Sequence, residues 1–529
     1  MLKLKSSKWQ YYVLFLINSL VIFIWFFRKG VICGWDLQFH LNRIEELHQS
    51  LMSGHLLSSN GSFAFSQIGL IVNKFYPYLF LYPFAIMRGL ADPVLAYNIC
   101  LFVLTALSFI IAYQSVISIP TQQGEKRRSA KAGFLFSLIY NNSGYLLLQI
   151  TQRGDLAEYI ALVLLPVLFM GLISLIRQPD SKKWWWLPIT FTLIAYSHLL
   201  SAILFALFVM VILGLNYHQL NVLKIERLII SGILVVIATL PISLTIVLAN
   251  HQNKVITPIV PDTLQNEALK PDDLLLNALN NIVPDTLSVV NLGVITLVCL
   301  FISFLILGSH DLLGKQLTWI GVFSVFLSTN LFPWFIFQRT PLHVIQFPWR
   351  FIGIATFCIA YVAAKVLQSL INRRCALLLV FITVNLVTLT YMHNFTHNGN
   401  QIIAYHNVKQ YERIATNAVY TDYMPYQTLA GMDPVANFRK KSDIHSHIAV
   451  VNGRKVKLHS NQIKPGYNQI SYQLTGLNAQ RVNHVILPLL NYGNNHANRS
   501  IKTEQTNRGT TIIIFHPRTN KAEVTIYLK

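Results

Sequence analysis

The sequence predicts a polytopic α-helical membrane protein with a β-rich domain at its C-terminal end. Three observations lead there. Of 529 residues, 53% are hydrophobic and only 12% charged, about half the charge of an ordinary soluble domain; mean hydropathy is +0.47. Several uncharged stretches reach about 20 residues, the length a helix needs to cross a bilayer. After His393 the pattern changes to short strand-like runs separated by turn residues.

Net charge is +21, from 42 Lys and Arg against 21 Asp and Glu. Its placement argues against nucleic acid as the partner. Up to His393 there are 26 basic and 15 acidic residues, and beyond it 16 and 6. Much of the first set falls in short loops between apolar runs, as membrane topology signals do. The five cysteines (Cys33, Cys100, Cys299, Cys358 and Cys375) form no C-x-x-C and no metal spacing. None follows His393, so the terminal domain has no disulfide.

The first span runs from Trp9 to Phe27 behind Lys3, Lys5 and Lys8. Its apolar core is long and no A-x-A-like site follows, so it reads as an uncleaved anchor with a cytoplasmic N-terminus. Further spans fall near 94–119, 132–150, 157–176, 185–200, 201–215, 228–249, 288–308, 316–331, 350–369 and 375–392, about eleven in all. Residues 75–91 decide the orientation. They are apolar but short, broken by Pro77 and Pro83 and carrying Arg88. Read as re-entrant or interfacial helices, they leave Lys126-Arg127-Arg128-Lys131, Arg177-Lys182-Lys183, Lys224-Arg227 and Arg373-Arg374 on the cytoplasmic side, as the positive-inside rule prefers.

That topology puts 11 of the 15 acidic residues before His393 outside. The chain divides into a membrane domain, 1–393, with a long first external loop at 28–93, and an extracytoplasmic domain, 394–529. Shorter external segments are 250–287 and 332–349. In the tail, HIAVV-NG-RKVKL reads as a hairpin whose Asn452-Gly453 supplies a type I′ turn. Runs at Asn468–Leu474, His484–Leu490, Thr510–Phe515 and Ala522–Leu528 complete a small β-sandwich.

Three polar constellations stand on the external side. The first loop opens with GWDLQFHLNRIEELHQSLMSG. As a helix it puts Asp36, His40 and Arg43 on one stripe, at i, i+4 and i+7. Leu37, Leu41, Ile44, Leu47 and Leu51 form an apolar stripe beside it, as on a helix lying at the membrane surface. Asp36 has two readings, an N-cap of this helix or a catalytic or ligand-binding carboxylate. The second constellation is Gln152-Arg153-Gly154-Asp155-Leu156-Ala157-Glu158, in a very short turn between spans. Its alternatives are a structural arginine–carboxylate clamp and a polar binding site. The third runs from Gln338-Arg339 through His343 to Gln346-Phe347-Pro348-Trp349-Arg350. There Arg350 either snorkels to headgroups or contacts a ligand. Together these residues suit an anionic headgroup on a membrane-embedded lipid: arginine presents a rigid fork to phosphate, and a carboxylate can take a proton from an attacking hydroxyl. His393/His397 and His445/His447 lack acidic or cysteine partners, so no metal site is expected.

GWDLQFHLNRIEEL, FYPYLFLYP, RGDLAEY and QFPWRF, in that order, resemble the YfhO-like bacterial membrane proteins, which include proteins described as 6-pyruvoyl-tetrahydropterin synthase-related. That family is similar to the GT-C glycosyltransferases. The resemblance covers roughly residues 10–395 and implies a polyprenyl-phosphate-linked sugar as donor. It makes Asp36 the match to the first-loop catalytic acid, with His40 and Arg43 in the same stretch. Arg153, Asp155, Glu158, Gln346 and Arg350 match family motifs without a defined role. Asp36-Leu37-Gln38 stands where a D-x-D pair would be, so no metal or other cofactor is expected.

The resulting expectation is an inverting sugar transfer at the outer face of the bacterial cytoplasmic membrane. Asp36 is the base; His40, Arg43, Arg153, Asp155, Glu158, Arg339, Gln346 and Arg350 bind substrate. The acceptor is a glycolipid or cell-envelope polymer such as teichoic acid. The alternatives are a flippase or transporter of lipid-linked precursors and a non-catalytic assembly protein. A transporter calls for ionisable residues near mid-span, and those regions are almost clean.

Overall fold

The computed structural model describes residues 9–528, apart from 58–59, 121–128, 253, 257–262, 287–288, 306, 308–310, 398–402, 406, 419 and 430–442. The basic residues Lys3, Lys5, Lys8, Lys126, Arg127 and Arg128 lie outside the described residues.

Helix α1 (Trp9–Lys29) leads through strand β1 (Val31–Cys33) into α2 (Leu37–Met52). Short α3 (Val72–Phe75) and α4 (Tyr82–Arg88) precede α5 (Pro93–Ser118). Then come α6 (Ala130–Asn141), α7 (Gly144–Ile150), α8 (Leu156–Arg177), α9 (Trp186–Ala195), α10 (Leu199–Leu215) and α11 (Val222–Gln252). Helices α12 (Pro271–Leu279), α13 (Val294–Leu305), α14 (Leu312–Leu327), α15 (Phe351–Leu370) and α16 (Arg374–His397) follow. Strand β2 (Ile403–Tyr405) pairs antiparallel with β1, and α17 (Val408–Thr416) comes next. The chain ends in β3 (Ile448–Val451), β4 (Arg454–Lys457), β5 (Ile463–Gly466), β6 (Gln469–Thr475), β7 (Asn483–Leu490), β8 (Lys502–Gln505), β9 (Thr510–Phe515) and β10 (Lys521–Tyr527).

Among the described residues, six helices are long and apolar enough to cross a membrane: α1, α5, α8, α11, α15 and α16. Helices α10, α13 and α14 are apolar but shorter. The expected span at 132–150 is two helices, because Ser143 stops one and caps the next, its Oγ accepting from Leu146 N at 3.3 Å. The 185–215 region forms two helices, as expected, with the break at His198, whose ring accepts from Ser201 N at 3.3 Å. No helix of spanning length occurs between 53 and 92 among the described residues, where two prolines interrupt the apolar run.

The chain forms two compact units. The first comprises 1–37, 97–240 and 260–406. Its centre is α8 and α15, each 83% buried over its most apolar stretch, whereas α11 is only 6% buried. The basic loops gather at one end of this unit. Arg177 donates to Pro120 O at 3.0 Å, Lys183 to Ser118 O at 3.0 Å, and Lys131 to Ile371 O at 2.5 Å. Beside them Lys365 pairs with Asp311 at 2.5 Å, and the Arg227 guanidinium lies 5.4 Å from the Trp184 ring.

The second unit comprises 38–96, 241–259 and 407–529. The expected division near residue 393 is therefore not the one compactness follows, since most of the first loop packs with the tail. Two antiparallel sheets, ordered β4-β3-β7-β9-β8 and β10-β6-β5, enclose a shared core that includes Val485, Ile513, Ile470, Tyr472, Val524 and Ile526. The hairpin turn is the expected one, with Asn452 at φ 49° and Gly453 at φ 85°. β5 and β8 were not legible, being four-residue strands with little alternation.

Helix α2 departs from the surface helix expected. It is buried nearly all round, its polar residues included, because each finds a partner. Asn42 donates to Ile414 O at 2.7 Å and accepts from Phe65 N at 3.0 Å. Glu46, fully buried, accepts from the backbone N of Ser62 at 3.3 Å, Phe63 at 2.8 Å and Ala64 at 2.8 Å. These contacts hold a left-handed turn in which Phe65, Ser66 and Gln67 have φ of 53°, 54° and 54°, a conformation that costs roughly 1–2 kcal/mol per residue. His447 Nε2 closes it from the sandwich, 2.8 Å from Ser66 O.

Glu46→Ala leaves the N–H groups of Phe63 and Ala64 without an acceptor, while Ser62 N keeps Asn60 O at 2.8 Å, at a cost of about 2–3 kcal/mol. Limited proteolysis is expected to cut the variant within 60–68, where the wild-type chain resists; equal resistance in both would refute this account of the turn.

Candidate functional site

The candidate site lies in the first unit, at the end opposite the basic loops, where two loop backbones run against each other. Trp35 N donates to Gln152 O at 2.9 Å and Asp36 N to Arg153 O at 2.7 Å. Two glycines permit this approach. A Cβ on Gly34 would lie 2.0 Å from Gln152 O. Gly154 has φ +65° and would meet Leu37 Cβ at 2.6 Å. The short loop after α7 is thereby locked against the start of the first loop.

This lock brings Asp36 to Arg153. Arg153 is 3% exposed, and its guanidinium serves three carboxylates at once: Nε–Asp36 Oδ2 at 3.2 Å, Nη2–Asp155 Oδ2 at 2.8 Å and Nη1–Glu158 Oε2 at 2.6 Å. Nη1 also donates to Gln149 Oε1 at 3.1 Å. Burial pulls the guanidinium pKa down, but Glu158, Asp155 and Asp36 more than offset it and hold the group above the ordinary arginine value. The structure thus realises the clamp alternative for Arg153: its donors are engaged by protein.

The clamp's acidic partners differ in exposure. Asp155 caps α8, its Oδ1 accepting from Glu158 N at 3.0 Å. Glu158 takes Tyr145 Oη, Arg153 and Arg350 Nε, the last at 3.5 Å. Both carboxylates are about 5% exposed or less, while Asp36 is 48% exposed. Asp36 also stands immediately before α2, in the N-cap position of its sequence reading. One carboxylate of the network is presented outward, and a buried arginine orients it.

Arg350 joins from the other side, 7% exposed, with Nη1 on Ile345 O at 2.9 Å and Gln346 Oε1 at 3.1 Å. Gln346 is held at φ 61°, ψ −54°, a strained conformation of the kind concentrated at functional sites. Trp349, fully buried, lies between the two arginines, 4.9 Å from the Arg153 guanidinium and 5.7 Å from that of Arg350. Among the described residues, Trp349 Nε1 and Gln149 Nε2 are buried donors without a protein acceptor.

Asp155, Glu158 and His198 each offer a ligand atom within 4.8 Å of the others. The donor chemistry does not fit a metal. His198 Nδ1 accepts from Ser201 N, which leaves the neutral ring's proton on Nε2. The carboxylates are already engaged by Arg153, whose positive charge a cation would have to face.

The structure therefore brings together Asp36, Arg153, Asp155, Glu158, Gln346 and Arg350. Arg339 is exposed in the 338–343 segment of the same unit. His40 and Arg43 belong to the second unit, where both are buried: Arg43 donates to Tyr76 O at 3.1 Å and Pro77 O at 2.5 Å beneath the Tyr76 ring, and His40 packs edge-on to Tyr76 and Phe80. Gln149, Tyr145 and His198 were missed, and Trp349 was named only as part of the 346–350 run. Gln149 carried a signal, since it precedes Arg153 by four residues in an otherwise apolar run; Tyr145 and His198 carried none.

An apolar groove of about 690 Å³ opens between α10, α14 and α15. It extends from Lys315 and Gln316, near the basic end, past Trp319 and Phe323 to Ile345 and Phe351. Those last two residues flank the segment that holds Arg350. No protein-family model matches the chain, and no match is found among curated proteins.

Two substitutions separate the parts of the network. Arg153→Met strands two buried carboxylates and is expected to destabilise by about 3–5 kcal/mol, with Arg153→Lys giving little rescue because one ammonium cannot span three acceptors. Asp36→Asn, on a half-exposed pair, is expected to cost about 1 kcal/mol or less. Thermal unfolding in detergent measures both; equal effects would mean that Asp36, too, is a structural member of the clamp.

Proposed function

We propose that the protein is an inverting membrane glycosyltransferase that uses a polyprenyl-phosphate-linked sugar and acts at the outer face of the bacterial cytoplasmic membrane. The observation that carries this reading is the half-exposed Asp36 carboxylate, gripped by a buried arginine. In the proposed reaction Asp36 takes the proton of an acceptor hydroxyl. The hydroxyl oxygen bonds to the anomeric carbon as the bond from that carbon to the phosphate oxygen breaks. Polyprenyl phosphate leaves as the anion, and direct attack inverts the anomeric configuration. Arg350 stabilises the departing phosphate, while Arg153 keeps Asp36 oriented. No metal or other cofactor is assigned a part. The donor's isoprenoid tail occupies the apolar groove, whose far end approaches Arg350.

The same proposal takes α10, α13 and α14, the α6–α7 pair and α9 as further crossings, for about eleven in all. It places the N-terminus and basic loops in the cytoplasm and the second unit outside. The acceptor is a glycolipid or cell-envelope polymer.

Asp36→Asn is expected to lower transfer by about 10²–10⁴-fold, the usual contribution of a general base, with its unfolding transition nearly unchanged. In a strain lacking the protein, one envelope sugar should disappear and its polyprenyl-phosphate form accumulate, with rescue by wild type and not by Asp36→Asn. Full rescue by the variant would overturn the assignment of the base.

A further inference from the structure

One pole of the β-sandwich is a built cationic surface. Three segments meet there: the hairpin turn at 452–454, the 476–484 segment between β6 and β7, and the 516–521 segment between β9 and β10. The registers that gather them are Val451 opposite Arg454 and Val485, Asn483 opposite Phe515, and Thr475 opposite Lys521. These segments carry Arg454, Arg481, Arg518 and Lys521, with His484 and His516, and no acidic residue. All six are exposed. Elsewhere in 443–528 the three acids, Asp443, Glu504 and Glu523, pair with Lys455, Lys502 and Lys464. The pole is left uncompensated.

Its loops are fixed in place. Asn483 is fully buried and satisfied on both sides of its carboxamide. Nδ2 donates to Asn478 O at 2.7 Å and Arg481 O at 2.7 Å; Oδ1 accepts from Asn478 N at 2.8 Å and Asn452 Nδ2 at 2.7 Å. Asn452 Oδ1 accepts from His484 N at 3.0 Å, and Leu477 N donates to Asn520 O at 3.1 Å. A surface held this way loses little freedom on binding.

The opposite pole is occupied. There Leu490 N donates to Ile68 O at 2.9 Å, Tyr467 Oη donates to Leu57 O at 2.9 Å, and Gly509 packs on Pro425 and Thr428. The sandwich is thus anchored through one end to the 57–68 and 425–428 segments of its own unit, and the cationic pole is its other end.

We infer that this pole binds a linear, phosphate-bearing polyanion. Three of the four permanent cations are arginines, which suit phosphate oxygens. The segments join β3 to β4 within one sheet and bridge the two sheets between β6 and β7 and between β9 and β10, so the charges are spread across the pole rather than carried by a single loop. Large apolar side chains, which a bilayer-inserting surface needs, are represented on it only by Val482, 51% exposed. The inference stands apart from sugar transfer.

The test uses the full chain in phosphatidylcholine nanodiscs, titrated with fluorescent long-chain inorganic polyphosphate and, separately, with phosphatidylglycerol vesicles. Wild type is expected to bind polyphosphate with an affinity that falls as salt rises. The variant R454Q/R481Q/R518Q/K521Q should bind about tenfold more weakly, and K464Q/K502Q within about twofold of wild type, both with unchanged unfolding. Single variants, each expected to lose about twofold, keep the test open should the quadruple variant misfold. Absence of polyphosphate binding, an equal loss in K464Q/K502Q, or vesicle binding that polyphosphate does not displace would overturn the inference, the last in favour of a bilayer surface. Asp36→Asn should bind polyphosphate normally, so the two readings fail separately.

Discussion

The first unit depends on one buried cation. An isolated guanidinium inside protein costs several kcal/mol, and so does each carboxylate brought in with it. Arg153 answers this by contacting Asp36, Asp155 and Glu158 together, and Arg350 adds a second positive charge beside Glu158. Removing Arg153 strands Asp155 and Glu158, so the buried members act as a unit. The unit in turn requires two positions without a Cβ, because the loops at 34–37 and 152–154 touch through their backbones. Exposure is uneven within the network. Only Asp36 is presented outward, which separates a chemical group from the apparatus that aims it.

The second unit solves the same problem with backbone donors. Glu46 is buried against three consecutive N–H groups, and Asn42 bridges segments more than three hundred residues apart. These side chains hold a left-handed turn that the local sequence would not adopt unaided. Asn483 does for the sandwich pole what Glu46 does for this turn: one saturated polar side chain fixes several loops. In each case a buried polar group is tolerated because its hydrogen-bonding capacity is used.

Charge segregation runs the length of the helical unit. The basic loops contact one another at one end and the arginine–carboxylate network occupies the other, with α8 and α15 as the packed axis between them. The apolar groove beside that axis connects the two ends. The exposed helices need no polar face there, which is why hydropathy described their composition well and their packing poorly. Burial of 83% in α15 and 6% in α11 follows from neighbours, not from apolar content, which is high in both.

Composition and periodicity determined that the chain is helical and membrane-compatible, that its tail is β-rich, and where the hairpin turns. Those are local properties: an uncharged run long enough to span, alternation of period two, an Asn-Gly pair that accepts positive φ. They also marked Asp36, Arg153, Asp155, Glu158 and Arg350 as ionisable groups beside apolar runs. What they could not determine was partnership. That Arg153 is saturated by carboxylates, that Arg43 and His40 are packed under aromatic rings, and that most of the first loop folds with the tail all depend on residues distant in sequence meeting in space. The helix break at Ser143 belongs to the same class, since a side chain that caps the next helix outweighs an apolar run that would otherwise continue. Tertiary structure decided these points because the cost of burying a polar group is settled only by the partner it finds.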